Sequence, residues 1–270
     1  MDLRDIQFIF NRAWSLTFNR KKLLSVFVIL MLCGILVVFF KGLALHTGQW
    51  VAMSLTFLPI FLCAGVLLST GVILIRIYHD EVKKRPHSYR SIVFKSWDLI
   101  MGTAYLSIPL ILAYLLLWMM LGVFFLLNEL PGVGGFFGVI LAFAPFLLNL
   151  GALFLCVISL STLFFIAPVV ALHGINRIQL SQLLTQRFQQ DMFLNLFLAT
   201  IAACPLLLIT GLLTIAAMMT GAICYTCPTP VYVILQWFFV MIPFTAVLTP
   251  GVVFFFNFAA EAHVLIRRQR

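Results

Sequence analysis

Charge is what this sequence has least of. Asp, Glu, Lys and Arg make up 9% of its 270 residues, and 63% are hydrophobic. Soluble domains carry about one quarter charged residues, so there is too little polar surface here to cover a water-soluble fold of this size. Six runs hold no Asp, Glu, Lys, Arg or His at all: Leu23 to Phe40, Val51 to Ile75, Leu99 to Leu127, Phe136 to Ala171, Phe193 to Ile223 and Val231 to Ala260. A bilayer core about 30 Å thick takes roughly 20 apolar residues as a helix. The runs are continuous, without the alternating segments of about ten residues that a membrane barrel would need. The composition therefore predicts an all-α, polytopic membrane helix bundle with six transmembrane helices.

The same scarcity bears on function. Coupled transporters rely on ionisable side chains inside the membrane, and the runs have none. Asp98, Asp191 and Glu261 fall at run edges, where water is expected to reach them, and Glu129 falls in a connection. Hydrolase, kinase and metalloprotease patterns are lacking. The stretch GVGGFFG, residues 132 to 138, has the wrong glycine spacing for a nucleotide loop and opens a span instead of following a strand. Gly134 and Gly138 suit close helix packing. The expectation is a protein that is not an enzyme, with no cofactor and no metal site.

The charge that is present is strongly one-sided. Sixteen of the 17 Lys and Arg residues lie before the first run, after the sixth, or in the second and fourth connections; the other three connections hold only Lys41. Positive residues stay on the cytoplasmic side, so both termini are expected there, in a bacterial cytoplasmic (inner) membrane. The net charge of +9 matches an anionic membrane face. No separate basic domain exists, so nucleic acid is not an expected partner. The first span is expected to stay as an uncleaved anchor, because its polar lead and apolar run are both long for a signal peptide.

The stretch IQFIFNRAW, residues 6 to 14, places Ile6, Ile9, Phe10 and Trp14 on one helical stripe. Tyr89, Ile92, Val93 and Trp97 repeat that spacing in the second cytoplasmic connection, and Leu180, Leu183, Leu184 and Phe188 repeat it in the third. Each stripe leads into two spans joined by a short outer connection. This predicts three cytoplasmic interfacial amphipathic helices and a three-fold hairpin repeat. The chain reads as one transmembrane domain, 1–270, with units of about 1–78, 79–172 and 173–270. Trp14, Trp97 and Phe188 are the expected headgroup anchors, and Arg12, Lys95 and Arg187 beside them are placed to meet anionic lipid. The alternative for each helix is simple packing on the ends of the spans.

The stretches FNRAWSLTFNRKK and VFKSWDLI, each leading into a span, give the chain a resemblance to uncharacterised six-span bacterial integral membrane proteins. It is also similar in layout to the membrane domain of some glycerophosphodiester phosphodiesterases. These residues include no soluble phosphodiesterase domain, so that activity is not carried over.

Three further features are present. Pro59, Pro109, Pro145, Pro168, Pro205, Pro243 and Pro250 lie within runs, so five of six spans are expected to be interrupted or bent. The fourth run, at 36 residues, is expected to tilt, to break near Pro145 or Pro168, or to emerge from the membrane. Asn149, Gln236, Ser159, Ser161 and Thr162 suit hydrogen bonding between helices. Cys224 and Cys227, in CYTCP, face the outer side and suit a disulfide; free thiols, redox catalysis and metal binding are the other readings. The leading functional reading is a lipid-contacting scaffold or assembly factor. Its rival is an uncoupled transporter or exporter of an apolar or lipid-like substrate, and a thiol-redox enzyme using Cys224 and Cys227 is a third.

Overall fold

The computed structural model describes residues 3–45, 47–84, 92, 97–128, 143–174, 192–219 and 230–268. They form α1 (Leu3–Ser15), α2 (Arg20–Ala44), α3 (Gln49–Val82), α4 (Trp97–Tyr105), α5 (Ile108–Asn128), α6 (Ala144–His173), α7 (Met192–Met219) and α8 (Pro230–Arg268). No strand occurs among the described residues. Six helical segments are long and apolar enough to cross a membrane, with α4 and α5 together making the third. The chain is a multi-pass membrane protein. Of the three stripes expected to lie in the interface, only the first is a described helix throughout; Ile92 and Trp97 are described from the second, and the third lies outside the described residues.

The helices outrun the apolar runs that seed them. α3 has 34 residues and α8 has 39, or about 51 and 58 Å at 1.5 Å per residue. Both exceed the hydrocarbon core, so their last turns project past it and carry polar side chains. α2 starts where Asn19 caps it, its side-chain oxygen accepting from the Lys21 N–H at 3.2 Å.

Most of the prolines do not interrupt their helices. Pro59, Pro168, Pro205, Pro243 and Pro250 lie inside continuous helices, which membrane surroundings tolerate. Only the third span is interrupted among the described residues: it stops at Tyr105 and restarts at Ile108, immediately before Pro109. Within the fourth run α6 begins at Ala144, with Pro145 in its first turn, and at 30 residues it is still longer than the bilayer core. That helix ends on Gly174, whose φ of 83° suits glycine and whose N–H bonds the Val170 carbonyl.

α3 is the centre of the bundle. Its most apolar window is 67% buried, against 17% for α2, 11% for the third span and 17% for α7. The core joins Leu68, Val72 and Ile75 of α3 to Phe164 of α6 and to Phe254 and Phe258 of α8. The peripheral helices turn large apolar side chains outward, such as Leu32 on α2, Leu116 on α5 and Leu212 on α7. Two glycines of α3 permit close approaches. A Cβ at Gly71 would lie 2.2 Å from the Phe256 ring, and one at Gly65 would lie 2.5 Å from Ser107 Oγ at the break in the third span. α2 packs on α3, the third span on both α3 and α6, and α7 on α8, while α2 also packs on α8 and α3 on α6. Contrary to expectation, the hydroxyls of Ser161 and Thr162 bond carbonyls of their own helix, Val157 and Ser159.

Candidate functional site

The polar residues that matter gather at one end of the bundle, where α2 begins and α3, α6 and α8 end. On α2, Lys22, Val26 and Leu30 are spaced four apart and share one buried face. Lys22 is therefore carried inward and is fully buried, at 0% exposure. Its ammonium ion-pairs with Glu81 in the last turn of α3 and lies 5.1 Å from the centroid of the Tyr78 ring. Glu81 also accepts from Asn19 Nδ2 at 2.7 Å.

Tyr78 extends the network. Its hydroxyl donates to Glu261 Oε1 at 2.7 Å, and Arg12 Nε stands 3.5 Å from the same oxygen. The path Asn19, Glu81, Lys22, Tyr78, Glu261, Arg12 thus links α1, α2, α3 and α8. It carries two cations and two anions, so its charges balance. One turn before Glu261, Asn257 Nδ2 donates to the Ala13 carbonyl at 3.5 Å and to Thr17 Oγ1 at 3.4 Å. Arg76 Nε donates to the Ala171 carbonyl at 3.1 Å, satisfying one of the last carbonyls of α6. At the opposite end, Lys41 of α2 sits over the Trp237 ring of α8 at 4.5 Å.

Beside the network lies a cavity of about 150 Å³ between α1, α3, α6 and α8. Arg12, Tyr78, His79, Lys83 and Glu261 line it, with half-exposed Val264 among its apolar neighbours. It combines both signs of charge with an apolar wall, which suits a small amphiphile more than a catalytic step. Among the described residues no group of three or more His, Cys, Asp or Glu is arranged to hold a metal ion.

The residues expected from sequence divide as follows. Trp14 is exposed, with ring edges packed against Phe18 at 5.4 Å and Phe254 at 5.7 Å. Trp97 is exposed at the start of α4. Arg12 turns its Nε toward Glu261. Lys95, Arg187, Phe188, Cys224 and Cys227 lie outside the described residues. Glu261 departs from expectation: it is buried, at 8% exposure, because α1 packs against α8 beside it. Lys22, Tyr78 and Glu81 were not singled out by the sequence. The available signal was the four-residue spacing of Lys22, Val26 and Leu30, which aims a lysine along an apolar stripe.

The chain matches no protein-family profile, no curated protein and no solved structure.

Proposed function

We propose that this protein is a lipid-contacting scaffold or assembly factor of the bacterial cytoplasmic membrane, without catalytic activity of its own. Both termini stand on the cytoplasmic side, and the chain is organised as three interfacial-helix and hairpin units. Trp14, Trp97 and Phe188 anchor it at headgroup depth, with Arg12, Lys95 and Arg187 meeting anionic lipid.

The observation that carries this reading is the filled centre of the bundle. Phe164, Phe254, Phe256 and Phe258 are each buried to within 2% of completely, where a conduit would need space or polar lining. The prolines of α3, α6, α7 and α8 leave those helices continuous. The exporter reading retains one observation in its favour: the third span is broken beside Ser107, which could serve as a hinge.

Changing Trp14, Trp97 and Phe188 together to Ala tests the collar. Each basic residue near an anionic surface contributes about 1 kcal/mol, and the anchors hold those residues at the right depth. Co-purified anionic lipid should fall several-fold by mass spectrometry while membrane insertion persists. Unchanged lipid retention would rule the collar out.

A further inference from the structure

The cavity beside the charged network holds charges that the protein leaves incompletely used. The Glu261 side chain is 9% exposed, and both of its contacts, from Tyr78 and from Arg12, fall on Oε1. Its Oε2 has no partner among the described residues. Unlike the Oε2 of Glu81, it is not closed off on all sides, so it stays open to a donor. Arg12 meets Glu261 through Nε alone, so its two terminal nitrogens have no partner among the described residues either. That pair of nitrogens matches two oxygens of a phosphate. Lys83 lines the same cavity and is exposed, adding a second cation, and His79 stands one turn before it on α3.

The mixture of signs selects the ligand. A purely anionic group would face the Glu261 carboxylate, and a purely cationic one would face Arg12 and Lys83. A group carrying a phosphate and an ammonium a few bonds apart satisfies both. A primary ammonium can donate a hydrogen bond to Oε2, which a quaternary one cannot. The space suffices: one water needs about 10–15 Å³ measured in this way, and the cavity has about 150 Å³. Ile75, Val82, Leu172 and Val264 supply apolar wall for the glycerol and first methylenes.

From these features we infer that the cavity binds a phosphoethanolamine headgroup, its phosphate on Arg12 and Lys83 and its ammonium on Glu261 Oε2. The inference deepens the lipid-contacting reading and rests on it only in placing this end of the bundle at a leaflet surface. Arg12 belongs to both readings, so they are told apart by what they do not share: the collar by the three ring anchors, and this site by Glu261 and by the preference for phosphatidylethanolamine over phosphatidylcholine.

The test uses the full-length protein in nanodiscs containing equal parts of phosphatidylethanolamine, phosphatidylcholine and phosphatidylglycerol, with retained lipid measured after detergent extraction. Phosphatidylethanolamine should be enriched over phosphatidylcholine, whose quaternary ammonium cannot donate to Oε2, while phosphatidylglycerol reports the collar. Glu261→Gln keeps an acceptor for Tyr78 but removes the charge, and should cut that enrichment about tenfold without lowering phosphatidylglycerol retention. Val264→Trp, at a half-exposed position, puts a bulky ring into the cavity while leaving every charged side chain of the network in place, and should do the same in a protein whose unfolding temperature is unchanged. Soluble phosphoethanolamine, titrated in parallel, separates the sources. Competition with the lipid identifies the membrane headgroup, and binding without lipid retention identifies the free compound. The inference is overturned if the wild type retains phosphatidylethanolamine and phosphatidylcholine equally and does not bind phosphoethanolamine, or if both variants behave as the wild type.

Discussion

Lys22 is the residue whose surroundings are least forgiving. Its ammonium has left water completely and depends on Glu81 and the Tyr78 ring. Dehydrating two charges costs about as much as their attraction returns, so such a pair adds little net stability, but removing one partner strands the other. Glu81→Ala should therefore destabilise the protein by about 3–5 kcal/mol, seen as a large fall in the midpoint of thermal unfolding in detergent. The double replacement Lys22→Met with Glu81→Leu should recover most of that loss. If the double variant is as unstable as the single one, the pair is not the source of the effect. None of this was visible in the hydropathy of the chain. Lys22 reads as the last member of the cluster Arg20, Lys21, Lys22, and nothing local distinguishes it from the two beside it except its register with Val26 and Leu30. Its partner lies 59 positions away, and only the antiparallel packing of α2 on α3 brings them together.

At the scale of the elements, the seam between α3 and α8 includes one very close approach. Gly71 lets the Phe256 ring lie against the α3 backbone. Gly71→Val would drive a branched side chain into that ring, and overpacking of this kind costs about 1–3 kcal/mol. Faster amide hydrogen exchange should follow in the facing segments of α3 and α8, with α5 unaffected. Gly71→Val together with Phe256→Ala should slow it again. Six spans were legible in the sequence because twenty consecutive apolar residues are a local property that the bilayer reads directly. The extents of α3 and α8 were not, because turns beyond the hydrocarbon carry no hydropathy signal. Ile75 and Ala260 closed the apolar runs, yet both helices continue and bring Tyr78, Glu81 and Glu261 with them. Which prolines interrupt a span was not legible for a related reason. Proline in a helix interior removes one backbone bond, but whether the helix then breaks depends on its neighbours, and only the segment before Pro109 breaks among the described residues.

For the whole molecule, the side of the membrane is the property to test. The network gathers Arg12, Lys22, Arg76 and Lys83 at one end, with Lys41 at the other, and the proposed orientation makes the first of these ends cytoplasmic. Reporters fused after Pro86, Gln189 or Arg270 should then be active only as cytoplasmic fusions, and those after Gln49, Pro131 or Pro228 only as exported ones. The fusion after Gln189 is the most demanding, because Arg177 and Arg187 are the only basic residues of its connection. Export at that point would remove a hairpin and with it the three-unit organisation.

The packing of α1 on α8 sets an order of events during synthesis. Ala13 and Asn257, which touch in the finished bundle, are separated by 244 positions. At about 5–20 residues per second of translation, the first helix must wait roughly 12–50 s before the surface that receives it exists. Lys22 and Glu81 need no such wait, since both belong to the first hairpin. Through that interval Ile9 and Ala13, buried at the end, have only lipid or a helper protein to cover them. The nascent N-terminal segment is therefore held by something else before it is held by its own chain.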